Sequence, residues 1–203
     1  MNKTLLLLAV LGFTLAFGCK PDADLSPAER YAKELAAAKT ADGSIDDFYL
    51  GLELGIARQE FYDRCTELNK KQLITMGGGG NNVEHQLKDE LPRPAVMSFA
   101  PDFSEDRSTV EAYTVLLSYV DWSPWNKDSH AEQLLKDLYP VLIEEYGDGF
   151  YAVPNERVGS VLVQIKGSRR IAAWVKDERY VQVRFADMRV RGAEELAYRT
   201  EAY

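Results

Sequence analysis

The last third of the chain alternates. Val161, Val163 and Ile165 come first, then a turn at Gly167 and Ser168, then Ile171, Ala173 and Val175, and finally Val181, Val183 and Phe185. Apolar residues at every second position share one face of an extended strand, and a short Gly-containing turn between two such runs makes a hairpin. Three successive runs therefore predict an antiparallel meander. Its apolar face must be covered, and the helical patterns upstream are the available cover.

Ser26-Pro27-Ala28-Glu29 combines an N-cap, Pro in the first turn and Glu three residues after the cap, so a short Ala-rich helix is predicted to about Lys39. Ala41, Asp42, Gly43 and Ser44 break it, leaving residues 19–46 as a tether with a loosely joined helix. Phe48, Leu50, Leu52 and Leu54 alternate as a strand would. Gly55 ends that run, and Phe61, Cys65, Leu68 and Gln72 recur at helical spacing. The glycines from 77 to 80, with Asn81 and Asn82, read as a mobile loop. Residues 83–87, 95–99 and 109–120 read as strands bounded by Pro92, Pro94 and Pro101. A second capping pattern at Ser129-His130-Ala131-Glu132 opens a helix with Leu134, Leu135, Leu138 and Leu142 on one face and Gly147 as its stop. Pro140 should kink or split it. A helix followed by antiparallel strands thus occurs twice. The expected fold class is α+β: two αβββ-like units, over 47–121 and 122–203, with helices packed on an antiparallel sheet.

Residues 1–18 carry one positive charge, Lys3, then an apolar run over 5–17 that ends in small residues before Cys19. This is a signal-peptide layout. The run falls short of the ~20 residues that a spanning helix needs, and Lys20, Pro21, Asp22 and Asp24 follow at once. Leu15-Ala16-Phe17-Gly18-Cys19 resembles the lipobox of bacterial lipoprotein precursors, apart from Ala16 where Leu is commoner. That resemblance implies diacylglyceryl transfer to the Cys19 thiol, cleavage before it and acylation of the new amine, which makes a stable membrane anchor. Lys20 differs from the Asp that marks inner-membrane retention in enteric bacteria, so the resemblance points to the outer membrane.

Cleavage leaves 185 of the 203 residues, enough for one domain with a real core or two small ones sharing a sheet. The full chain has 24 Lys and Arg against 32 Asp and Glu, and the leader takes only Lys3, so the mature balance is 23 against 32, a net charge of −9. Such a surface opposes binding to nucleic acid and favours solubility or a basic partner. Cys65, the only other cysteine, is expected on the apolar face of its helix as an inert thiol. The body resembles uncharacterised lipoproteins of Bacteroidota-type bacteria. Its layout is similar to small envelope modules of the β-lactamase-inhibitor type and to the outer-membrane assembly lipoprotein BamE (SmpA), in which a Gly-small motif leads into a helix as Gly55-Ile56-Ala57 does here. These resemblances bear on fold and carry no function.

Known patterns for chemistry are weak. There is no Gly-x-Ser-x-Gly, and the only histidines are His85 and His130. His85 shares a strand face with Val83 and Leu87 and reads as a half-buried histidine bonded to backbone; His130 reads as solvated in a first helical turn. No His/Cys cluster or His-Glu-x-x-His points to zinc. Asp102, Ser104 and Asp106 imitate the start of a calcium loop, but Arg107 stands where Gly is needed and Tyr113 where Glu is needed, so a polar turn is expected. Glu144 with Glu145, and Asp102 with Glu105, read as solvated acids. No catalytic residue, metal or cofactor is therefore assigned.

One segment stands apart. Tyr119-Val120-Asp121-Trp122-Ser123-Pro124-Trp125-Asn126 sets three aromatics and a proline between a strand and a helix. Tyr119, Trp122 and Trp125 are candidate binding residues if exposed, for a protein partner or a stacked sugar. The competing and favoured expectation is a plug whose indoles fold under the helix, because Trp is usually largely buried. The sequence thus points to a lipid-anchored, non-enzymatic envelope module whose partner is an envelope protein or a glycan. The alternatives are an acidic inhibitor or immunity-type protein that neutralises a basic enzyme or toxin, and a glycan-processing hydrolase.

Overall fold

The computed structural model describes residues 25–43, 47–77, 82–192 and 196. The leader, Cys19 and residues 78–81 of the glycine-rich loop lie outside the described residues.

Helix α1, Pro27–Ala38, starts as its sequence requires: Glu29 N–H donates to Ser26 Oγ at 3.3 Å and Ser26 N–H to Glu29 Oε2 at 2.9 Å. It is docked rather than loosely joined. Ala38 is buried, Tyr151 donates to Glu34 at 2.8 Å, and Arg170 donates to the Tyr31 hydroxyl at 3.0 Å.

The strands are β1 (Thr75–Met76), β2 (Val83–Leu87), β3 (Ala95–Phe103), β4 (Val110–Tyr119), β5 (Tyr151–Asn155), β6 (Gly159–Lys166), β7 (Arg169–Val175) and β8 (Val181–Asp187). They form one sheet in the order β1-β2-β3-β4-β8-β7-β6-β5, with every neighbouring pair antiparallel. The protein is α+β. The β6-β7-β8 meander is present as its alternation requires, and β4 against β8 joins it to the first four strands. In that central pair Tyr113, Val115 and Leu117 face Phe185, Val183 and Val181. This row lines the main core under α2 (Arg58–Lys70) and α3 (Ala131–Tyr146). On the opposite face Val161, Val163, Ala172 and Trp174 are fully buried, with Tyr31 of α1 packed against them.

The structure corrects several expectations. Residues 48–54 are a tight turn and not a strand. Leu50 at φ 51° and Gly51 at φ 75° reverse the chain, Asp47 bridges Glu53, Phe48 N–H donates to Leu52 O at 2.9 Å and Leu52 N–H to Tyr49 O at 2.9 Å. The alternation is real, because Phe48, Leu52 and Leu54 are all buried, but it comes from two limbs of a turn facing one core. Pro101 lies inside β3, opposite Tyr113. The β2 pairing ends at Phe99, so the missing N–H of Pro101 takes no bond from the β2–β3 ladder. Pro140 does not split α3, which runs unbroken through it. Pro140 and Lys136, whose carbonyl it frees, are both exposed, so water can serve that carbonyl. The capping pattern at Ser129 is not used: His130 is the N-cap, its side chain making no capping bond to the helix, and Ser129 Oγ donates to Asn126 O at 2.8 Å. Strands β1 and β5 have no clear signal, being two residues long and Pro-containing, respectively.

Buried long-range partners hold the turn and the end of α3. Arg169, on β7, pairs with Asp47 at 2.7 Å, and Tyr146 donates to Phe48 O at 2.6 Å. Gln164 Nε2 lies 2.6 Å from Gly147 O and 3.0 Å from Asp148 O, while Lys166 Nζ donates to Tyr146 O at 2.7 Å. These side chains serve carbonyls that α3 leaves open where Gly147, at φ 75°, turns the chain away.

Candidate binding surface

The segment between β4 and α3 is fastened at many points. Val120 N–H donates to Pro94 O at 3.0 Å, Asn126 N–H to Ser123 O at 3.2 Å, Ser129 N–H to Asn126 O at 3.0 Å and Ala131 N–H to Glu178 O at 3.0 Å. A short 3-10 turn, Lys127–Ser129, closes it against α3. Arg93 reaches across from the β2–β3 connection, 3.4 Å from Asp121 and 3.8 Å from Asp128, with its guanidinium 5.6 Å above the Tyr119 ring. The loop is therefore pre-organised, which lowers the ordering cost of any contact it makes.

Its three aromatics have three environments. Tyr119 is buried, and its hydroxyl donates to Asp137 Oδ2 at 2.5 Å while Gln133 holds the other oxygen at 2.9 Å. Burial, and then Asp137, push the phenol far above its ordinary pKa, so it remains a donor that ties β4 to α3. Trp122 is half-buried. Its indole N–H donates to Glu178 O at 3.2 Å, Arg179 lies 5.4 Å over the ring, and His130 is 6.4 Å away. This ring has the surroundings of a plug. Trp125 is 88 % exposed, and Val120, five residues earlier, is 61 % exposed. Of the candidates, then, Trp125 alone presents most of its surface.

Sequence reasoning missed Arg93, Glu178 and Arg179, which lie far from the loop in sequence and reach it only through the sheet. His130 is buried rather than solvated, with its ring N–H directed to Ser123 O at 3.2 Å. His85 is bonded to backbone, its Nδ1 2.5 Å from Leu73 O. Asp106 sits in a polar turn, accepting from Ser104 Oγ at 2.5 Å and from Ser108 N–H at 3.0 Å. These bonds lower its pKa to about 2, Ser104 contributing most. Asp102 is paired with Arg184, and Glu144 and Glu145 are successive residues of α3, whose side chains diverge by about 100°.

Cys65 lies on α2 with buried Phe61 and Leu68, and burial pushes its thiol up to about 11. Below that pH the thiol stays protonated. Native Cys65 should therefore be alkylated about a hundredfold more slowly near neutral pH than in the unfolded chain, and the difference should vanish as pH approaches 11. Timed iodoacetamide labelling with and without denaturant measures this, and equal rates near neutrality would show the thiol to be reactive.

No protein-family model matches the chain, and neither a curated protein nor a solved structure matches it. Among the described residues no helix is long and apolar enough to cross a membrane.

Proposed function

We propose that this is a lipid-anchored envelope protein that binds a protein partner through the Trp125 loop and performs no catalysis itself. The leader at residues 1–18 and the acylated Cys19 deliver it to the membrane, the outer membrane by the Lys20 criterion. The observation that carries the reading is an indole 88 % exposed on a loop clamped by Arg93 and by the backbone at Glu178. An exposed aromatic normally costs solubility without return; on a rigid support among charges of both signs, it has the form of an interface anchor with a polar rim. The body is read as two related helix-plus-strands units, α2 with β1–β4 and α3 with β5–β8, joined edge to edge through β4 and β8.

The mature charge of −9 supports a second reading, an inhibitor of a basic enzyme or toxin. One experiment serves both. The intact lipoprotein and its Trp125→Ala variant are crosslinked in the native envelope and captured. Loss of a partner in the variant is the expected result, and an unchanged partner set removes the loop from the interface. A basic enzyme whose capture falls steeply with salt selects the inhibitor reading. A stacked glycan remains the other ligand that Trp125 could take, and elution by soluble envelope glycans would identify it.

A further inference from the structure

The second face of the sheet, opposite the main core, is buried further than α1 can account for. On that face β7 presents Arg170, Ala172 and Trp174, and β8 presents Gln182, Arg184 and Ala186, with Trp174 opposite Gln182 and Ala172 opposite Arg184. Trp174 and Gln182 are 0 % exposed and Arg184 1 %. Helix α1 rests on β5 and β6, while a short helix α4, Met188–Arg191, meets β4 and β8. Met188 and Ala38 pack there with Ala112 and Ala186. Gln182 is four positions before Ala186, about 13 Å away along β8, and β8 lies two strands, about 10 Å, from β6. A helix about 10 Å wide that rests on β5 and β6 does not also close over β8. Another segment must lie over Gln182 and Arg184.

The path of the chain after α4 supplies one. Gly192 abuts Lys39 at the end of α1, so the chain leaves α4 on this face. Leu196 is then half-buried against the cluster of Val153, Val161, Val163, Ala172 and Trp174. Four residues reach at most about 14 Å, which matches the run from Ala186 to Gln182. Of residues 193–203 the structure describes Leu196 alone. In an extended stretch Glu194, Leu196 and Tyr198 share one side, while Glu195, Ala197 and Arg199 share the other. The first of these sides offers a carboxylate, an aliphatic chain and an aromatic ring. The face below offers Arg170, Arg184, Gln182 and Trp174, so the two are complementary in charge and in apolar content. A guanidinium and a carboxamide buried this completely call for a cover that is itself partly polar.

We propose that residues 193–203 are a strap docked on the second face of the sheet. Leu196 sits on the Trp174 cluster, Tyr198 continues over Gln182, and Glu194 faces the arginines. While the strap is bound, the strand surface of β7 and β8 is closed to other partners. Tethering holds the strap at an effective concentration in the millimolar range, so a free peptide of the same sequence gains the site only when the strap is removed.

The test compares the full chain carrying Trp125→Ala, which removes the exposed indole, with the same chain ended after Gly192. Iodide quenching and emission wavelength then report Trp174 over the constant background of Trp122. Ending the chain at Gly192 should raise the quenching and shift the emission to the red, and a peptide of residues 193–203 added back should reverse both with saturation. The same peptide with Leu196→Ala should bind about tenfold more weakly, the worth of a partly buried Leu. Unchanged quenching on truncation, or no saturable reversal by the peptide, overturns the proposal and gives the cover to another part of the chain. If the shortened chain does not fold, the full chain with Leu196→Ala and Tyr198→Ala decides. Greater quenching at unchanged circular dichroism is then expected, and quenching equal to the parent's overturns the strap. Partner capture is not read in any arm, so the strap and the Trp125 interface stand or fall separately.

Discussion

Phe48→Ala is expected to destabilise the fold by about 3–5 kcal/mol and to lower the melting temperature by roughly 6–20 °C. The residue is 3 % exposed, and its ring stacks on Tyr113 at 4.0 Å and 10°. Phe99 and Phe185 meet it edge-on at 5.4 and 4.9 Å. These partners come from β3, β4 and β8, so a single ring spans the seam between the first four strands and the last four. The cost of deleting a core ring depends on how far the surroundings can collapse into the space. Little collapse is available here. Tyr146 holds the carbonyl of Phe48, and Arg169 holds Asp47 just before it, so the backbone of the turn is fixed. Chemical unfolding at constant slope is the measurement. A loss below about 1.5 kcal/mol would mean that residues 47–54 are not packed as described. Leu50→Ala, in the same turn but only half-buried, is the matched control and should cost clearly less.

Phe48 also shows where sequence reading stops. The period-2 pattern over 48–54 identified which side chains are buried, yet assigned them to the wrong local structure, because a two-limbed turn and a strand can bury the same alternating residues. What separates them is the left-handed backbone at Leu50 and Gly51, and Leu at such a position gives no warning. The β6-β7-β8 meander was legible because its turns are short and its pairing local. The β4–β8 pairing was not, since more than 60 residues separate Leu117 from Val181 and no local signal sets that register. The Trp loop was legible as a composition and illegible as an arrangement. Three aromatics announced a special segment, but the residues that sort them, Asp137 under Tyr119 and Glu178 with Arg179 around Trp122, are supplied by other elements.

The sharpest contrast in the molecule is expected between two indoles three residues apart. Trp122→Ala removes a half-buried ring, its hydrogen bond to Glu178 O and its contact with Arg179, and should cost about 2–3 kcal/mol of stability, less than a fully buried Trp because part of the ring is already wet. Trp125→Ala removes a ring in water and should leave stability within about 0.5 kcal/mol. Its expected loss is in binding, about 2 kcal/mol or more, roughly a thirtyfold weaker complex with the captured partner. Iodide quenching of fluorescence checks the premise without any ligand. The three tryptophans are Trp174, fully buried, Trp122, half-buried, and Trp125, so Trp125→Ala should abolish most of the quenchable emission while Trp122→Ala should not. If Trp125→Ala melted several degrees below the parent, its ring would be packed against the fold and the loop would lose its anchor. If it melted like the parent but bound the partner with unchanged affinity, the indole would be exposed to no purpose that this interface serves, and recognition would have to be sought elsewhere on the surface.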